Sequence, residues 1–339
     1  MQQVPSAVQG VARGGSAREV APGVACLPLS IVNVYLVGGP GAPDRSWVLV
    51  DAGLRFSTGA ILRAAAERFG PTSRPAAIIL THGHFDHVGT LPELAGRWDV
   101  PVYAHPLEMP FLTGRSAYPP PDPAVGGGAM AFLSRLYPRG PVDLGDRVRP
   151  LPAGEPPAMP GWRWIHTPGH SAGHVSLFRD ADRALIAGDA FVTTVQESAL
   201  AVLARRQQVS RPPAYYTTDW HAARESVETL ARLRPALAAT GHGIPMRGEP
   251  LSAGLEALLQ GWERLAVPRQ GRYVREPAIT NEQGVVRLPP PVPDPSLPVV
   301  AGIGVLALLG VALLRGGPEP HGARRLRRRS SRPGRQPRD

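Results

Sequence analysis

Thr81-His82-Gly83-His84-Phe85-Asp86-His87-Val88-Gly89 is the stretch that decides how the chain is read. Three histidines and one carboxylate fall between His82 and His87. The apolar run Ala76-Ala77-Ile78-Ile79-Leu80 precedes them, strand-sized and bounded by Pro75. The cluster therefore sits where a buried strand leaves a sheet. Imidazole nitrogen and carboxylate oxygen suit a borderline divalent ion such as zinc. In an extended segment His82 and His84 point the same way, because side chains alternate. Asp86 and His87 are consecutive, so one of them must face a different centre. The spacing points to two adjacent metals. A lone histidine is usually a surface or hydrogen-bonded core residue, but that reading does not explain four ligand types this close together.

Working outward, apolar runs recur with a polar residue at their ends. Ile31 to Val37 and Ser46 to Val50 read as strands joined by a Gly/Pro turn, and Asp51 ends the second. Thr58 to Phe69 has helical composition and is stopped by Gly70-Pro71. Gly89 to Trp98 predicts a helix behind the cluster, and Val100 to Ala104 a strand. Residues 106–160 are irregular, with a short helix expected at 130–137 and loops that could line a substrate mouth. Arg163 to Ile165 leads into Thr167-Pro168-Gly169-His170-Ser171-Ala172-Gly173-His174, followed by the run 175–178. Arg183 to Ala187 ends at Gly188-Asp189, and Ala236 to Thr240 ends at Gly241-His242-Gly243. Helices are predicted over 220–233 and 251–265, and a short extended segment over 271–286. Asp51, His82, His170, Asp189 and His242 thus all lie at strand ends. That describes a site at one rim of a β-sandwich.

Composition narrows the partners. The chain has 339 residues, 43% of them hydrophobic, enough for a sizeable core. Every basic residue is arginine. Nine of them, with only Glu319 and Asp339 against them, follow Leu314, a net +7 out of a total of +10. The body is nearly balanced, so composition gives no reason to expect nucleic acid as a partner there. Cys26 is the only cysteine, which excludes an intramolecular disulfide and suits a small buried hydrophobe.

His82-x-His84-x-Asp86-His87, with Asp51, His170, Asp189 and His242 in that order, resembles the metallo-β-lactamase-fold hydrolases over roughly residues 20–250. The resemblance implies an α/β fold, a four-layer αβ/βα sandwich. It implies one metal held by His82, His84 and His170 and a second by Asp86, His87 and His242. Asp189 would bridge them, and Asp51 would support the cluster. His174 is expected to support rather than ligate. Two divalent ions, Zn2+ first with Fe or Mn as alternatives, would share a water and lower its pKa toward about 7. The hydroxide would attack a carbonyl or phosphorus centre, with Asp86 orienting it and moving its proton. With two carboxylates and that hydroxide the centre carries about +1, which suits an anionic or carbonyl-bearing small molecule.

The 167–174 segment is similar to glyoxalase II and its lactonase relatives. Class B1 β-lactamases have Cys where this chain has Asp189. The β-CASP nucleases carry a large domain between the later motifs, where this chain has 52 residues between Asp189 and His242. A metal hydrolase of esters, thioesters or lactones is therefore expected. A persulfide-dioxygenase-like enzyme with one iron and a non-catalytic membrane or nucleic-acid adaptor are the alternatives. Tyr215, Tyr216, Asp219 and Trp220 are candidates for substrate contact, since a Tyr serves the oxyanion in the lactonases. His105, His166, His221 and His321 are expected to be ordinary surface or packed histidines, His105 being the most plausible exception.

The sequence divides into a flexible arm (1–18), a catalytic domain (19–287), a Pro-rich linker (288–298), an apolar stretch (297–314) and an Arg-rich tail (315–339). Residues 297–314 carry no charge and come near the length of a bilayer span. The Arg tail suits anionic lipid. By the positive-inside rule the tail stays in the cytoplasm, and without a leader so does the domain, which one span cannot satisfy. The expectation is a cytoplasmic catalytic domain anchored at the membrane, with a soluble cytoplasmic protein as the alternative.

Overall fold

A computed structural model describes residues 16–204 and 206–294. The apolar stretch 297–314, the Arg-rich tail and most of the expected N-terminal arm lie outside these residues. The first sheet runs in chain order: β1 (Arg18–Ala21), β2 (Val24–Leu29), β3 (Val32–Val37), β4 (Val48–Val50), β5 (Ala77–Ile79), β6 (Val102–Ala104) and β7 (Val148–Pro150). Pairing is antiparallel from β1 to β4 and parallel from β4 to β7. The second sheet has the order β12-β11-β10-β9-β8. Its strands are β8 (Trp162–His166), β9 (Val175–Arg179), β10 (Ala184–Gly188), β11 (Leu237–Thr240) and β12 (Met246–Arg247). Only β10 and β11 run parallel within it.

Alternation along the strands generates three cores and hence four layers. Leu36, Leu49 and Ile78 face outward and bury Ile61 and Phe69 of the helix Thr58–Phe69 and Leu94 of the helix Leu91–Trp98. Their neighbours Tyr35, Val50 and Ile79 face the other way and meet Leu177, Ile186 and Ala239 of the second sheet. Phe178, Leu185 and Ala238 then pack under the helices Trp220–Arg232 and Gly248–Gln260. The order helix, sheet, sheet, helix is the expected αβ/βα sandwich. Cys26 lies in the layer between the sheets, buried as expected.

Parallel pairing positions the site. Helical crossovers between β4 and β5, and between β10 and β11, bring the carboxyl ends of these strands to one rim. The β8–β9 loop reaches that rim because β9 runs antiparallel to β10. Val175 N–H donates to the Thr81 carbonyl at 2.9 Å, stitching the two sheets together there.

Several boundaries differ from expectation. The arm was expected to be loose through residue 18, but β1 begins at Arg18, paired to Cys26. The helix expected over 89–98 spans Leu91–Trp98, and a separate turn, Phe85–Val88, precedes it. Thr90 separates them, its hydroxyl bound to the Ala52 carbonyl. The 271–286 segment ends in a hairpin, Ile279–Asn281 with Gly284–Arg287. Residues 106–160 hold the short helices Met109–Leu112 and Ala129–Leu133.

Leu49 is fully buried under the outer helices. Leu49→Ala is expected to lower unfolding free energy by about 2–5 kcal/mol, measured as a shifted urea midpoint at unchanged slope.

Candidate metal centre

Asp51 follows β4, His82 follows β5, Asp189 follows β10 and His242 follows β11, so the four lie on one rim. The chain stays extended through His84 and then makes one helical turn, Phe85–Val88, which carries Asp86 and His87. Three groups of potential ligand atoms result: His82 with His84 and His170; His82 with His87 and Asp189; Asp86 with His87 and His242. Within each group the atoms lie within 4.8 Å of one another, and every residue is buried. Asp189 Oδ2 stands 3.0 Å from His242 Nε2, 3.4 Å from His170 Nε2 and 3.6 Å from His87 Nε2. His242 Nε2 is 3.5 Å from Asp86 Oδ2.

The hydrogen bonds fix which imidazole nitrogen faces inward. Asp51 Oδ2 accepts from His87 Nδ1–H at 2.9 Å. The Thr81 hydroxyl donates to the same carboxylate, so its oxygen accepts from His82 Nδ1–H at 3.1 Å. Thr217 Oγ1 donates to the Pro213 carbonyl and faces His170 Nδ1 at 3.4 Å. His242 Nδ1–H donates to the Ile31 carbonyl. Four rings therefore spend Nδ1 outward and keep Nε2 as an inward lone pair. His84 is reversed: its Nδ1 faces His170 Nε2 at 3.0 Å. Neutral imidazoles oriented this way are metal ligands in waiting.

The residues fit a divalent pair in two further respects. Among the described residues His82 Nε2, His87 Nε2 and Asp189 Oδ1 are buried without a hydrogen-bond partner. Each such atom costs about 1–3 kcal/mol unless something binds it. A Cβ on Gly241 would lie 2.1 Å from Asp189 Oδ1, so only glycine leaves this space open. Burial holds His82 and His84 well below the ordinary imidazole range, and His170 down to about 3. Burial acts on His87 and His242 too, but the Asp189 carboxylate outweighs it and raises both, helped by Asp51 at His87 and Asp86 at His242. Burial would lift Asp189, yet His242 and His87 hold it well below the carboxylate range. Burial raises Asp86.

Residues 27–242 match the profile of the metallo-beta-lactamase superfamily. The chain belongs to that superfamily. It is 47% identical over 247 residues to the probable metallo-hydrolase YflN of Bacillus subtilis, covering 73% of this chain and 93% of that one. A second Bacillus subtilis protein, the probable metallo-hydrolase YybB, is 28% identical over 58% of this chain and 74% of its own. Among solved structures, a beta-lactamase domain protein from Burkholderia ambifaria superposes with a TM-score of 0.51 at 24% identity, covering 75% and 78% of the two chains. The superfamily match together with 47% identity to a probable metallo-hydrolase supports a metal-dependent hydrolase, and its pocket rather than its fold sets the bond it cleaves.

Within the superfamily frame, His174 is not a free ligand. Its Nε2 accepts from the Asp189 backbone N–H at 2.8 Å, and its Nδ1–H donates to Thr167 Oγ1 at 2.8 Å. Thr167 in turn meets Ser176, which donates to the Ala187 carbonyl at 3.0 Å. This relay pins the turn that presents Asp189. Tyr216 stacks on His84 with centroids 4.2 Å apart, and its hydroxyl donates to the Pro138 carbonyl. Tyr215 is buried beside it, and burial with the nearby Asp86 charge holds its phenol well above the usual range. Asp219 caps the helix Trp220–Arg232 by accepting from Ala222 N–H, and Trp220 packs in the core beneath that helix. His105 stacks on His166, outside the three ligand groups. His221 is exposed, and His321 lies outside the described residues.

Sequence reasoning missed Glu108, a buried carboxylate between two ligand loops, and Gln196, a buried carboxamide beside Tyr215. Nothing in their local sequence distinguishes them. Asn33 was also missed. Its side chain donates to the Thr240 and Gly243 carbonyls at 2.9 and 2.7 Å and so holds the His242 loop.

Asp51→Ala is expected to weaken metal binding about 10–100-fold, because His87 loses the acceptor that orients it. Competition with a chromophoric chelator measures this. Stripping metal from the wild type is expected to lower Tm by on the order of 10 °C, since the orphaned atoms lose their partner. Calorimetry before and after chelation checks it.

Proposed function

We propose that this protein is a dinuclear zinc hydrolase of small esters, thioesters or lactones, related to the glyoxalase II-like enzymes. The observation that carries the reading is the set of inward imidazole lone pairs gathered around Asp189. In this reading His82, His84 and His170 would hold one ion and Asp86, His87 and His242 the other, with Asp189 placed to serve either. Asp51 and His174 act from behind, orienting His87 and the Asp189 turn. When bound, the two ions supply an acidified water and Lewis-acid stabilisation of the carbonyl oxygen. Metal analysis separates this reading from the single iron of the persulfide-dioxygenase reading.

The chain's own residues supply the remaining steps. Asp86 orients the attacking water and carries its proton to the leaving group. The Tyr215 hydroxyl, kept protonated, donates to the oxygen on which charge develops. Tyr216 supports the His84 ring more than the substrate, since its hydroxyl is already engaged. Phe85, Met130 and Tyr137 pack with the two tyrosines into an apolar wall, which suits an acyl chain or ring beside the scissile carbonyl.

Among the described residues no helix is long and apolar enough to cross a membrane. Membrane contact through 297–314 and the Arg tail remains part of the proposal on sequence grounds alone. Fractionation of the full chain against one lacking 297–339 tests it, and equal partitioning of the two would sink it.

Asp189→Ala is expected to lose zinc and hydrolysis together, read by metal analysis and by a panel of lactones, thioesters and aryl esters. Full activity in that variant would overturn the mechanism. Tyr215→Phe is expected to lower kcat about 100-fold with zinc content unchanged. An unchanged kcat would remove Tyr215 from the oxyanion role.

A further inference from the structure

We propose that Glu108 is a positioning residue: one buried carboxylate ties the loop of His82 and His84 to the loop of His170, and so sets the geometry of that triad. The inference rests on the metal reading above and concerns what holds the ligands rather than the ligands themselves. Glu108 ends the single turn Pro106–Glu108 that follows β6, and none of its surface is exposed. Among the described residues no arginine or histidine forms an ion pair with it.

Its oxygens are divided between the two loops. Oε2 accepts from the Gly83 backbone N–H at 3.0 Å and from the Tyr118 hydroxyl. Oε1 accepts from the Ser171 hydroxyl at 2.7 Å and from the Gly173 backbone N–H at 3.0 Å. All four partners are donors, which suits the acceptor-only capacity of an ionised carboxylate. Gly83 lies between His82 and His84, and Ser171 follows His170 directly. The two loops come from different sheets and are far apart in the chain. Tyr118 extends the clamp to a ligand ring. It stacks on Phe111 with centroids 3.9 Å apart and lies 4.7 Å from the His84 ring.

A glutamine of the same shape cannot repeat this pattern. Its oxygen accepts, but its NH2 group would point donors at two existing donors. The Asp86, His87 and His242 triad has its own anchors in Asp51 and the Ile31 carbonyl, and Glu108 touches none of them. Loss of Glu108 should therefore weaken one triad and spare the other. A residue that only filled the core would destabilise the fold without that asymmetry.

The test is zinc titration of the full chain against a chromophoric chelator, with Tm of the metal-free protein measured alongside. Glu108→Gln is expected to weaken one of the two zinc affinities about 10–100-fold and leave the other within about two-fold. Repeating the titration in a His242→Ala background, which disables the other triad, should show the weakened site alone. Tyr118→Phe and Ser171→Ala each remove one donor without introducing a clash, and each should give a smaller shift in the same affinity. They decide the question if Glu108→Gln fails to fold. Unchanged affinities in these variants, or equal weakening of both sites, would overturn the proposal while leaving the metal reading intact. Wild-type protein that binds no zinc at the His82, His84 and His170 triad would overturn both.

Discussion

A buried imidazole has two nitrogens, and in the neutral ring only one carries a proton. To aim a lone pair inward, a histidine must find an acceptor for the other nitrogen on its outward side. The rim meets this demand at each of the four rings that present Nε2. Asp51, the Thr81 hydroxyl, the Thr217 hydroxyl and the Ile31 carbonyl each take one Nδ1–H. The hydroxyls can accept only because they donate onward, Thr81 to Asp51 and Thr217 to Pro213. The centre therefore depends on a surrounding layer whose hydrogen-bond directions are all consistent.

That layer in turn depends on parallel pairing. Asp51 ends β4 and Thr81 lies just beyond β5, and the parallel register of these strands brings the carboxylate under the Thr81 backbone, whose N–H it accepts at 2.8 Å. Asp51 adopts a positive φ of 61°, a conformation Asp tolerates better than most residues, and this turns its side chain back across the strand ends. The second sheet uses the same device. β10 and β11 run parallel, and Gly241 N–H donates to the Gly188 carbonyl at 2.8 Å, which sets His242 beside Asp189. Antiparallel pairing would have sent these residues to opposite rims.

The legible part of the sequence was the part with short-range signals. Alternating apolar strands followed by a ligand residue gave the rim, and the dense 82–87 cluster gave the chemistry. The four layers were expected only from the resemblance to the metallo-β-lactamase fold. The helix expected over 89–98 lies at Leu91–Trp98, but the turn Phe85–Val88 that carries Asp86 and His87 went unseen, because four residues are too few to show a helical period. Glu108 was invisible for a deeper reason. Its partners are Gly83, Tyr118, Ser171 and Gly173, and two of the four contribute only a backbone N–H. A backbone donor has no residue type, so no pattern of letters marks it. Asn33 was missed on the same ground, since it binds two backbone carbonyls more than two hundred positions away.

Buried carboxylates show how the centre divides its work. Asp51 and Glu108 are both enclosed, and both spend their oxygens on protein donors. Asp189 is equally enclosed, yet among the described residues its Oδ1 has no hydrogen-bond partner, and its Oδ2 faces three imidazole nitrogens whose lone pairs point at it. Lone pairs facing a carboxylate oxygen repel unless positive charge lies between them. Raised proton affinities at His87 and His242 are one response to that demand. Divalent cations meet it more completely, because each can engage several of these atoms at once. The carboxylates with satisfied oxygens hold the frame, and the one left unsatisfied marks where the chemistry belongs.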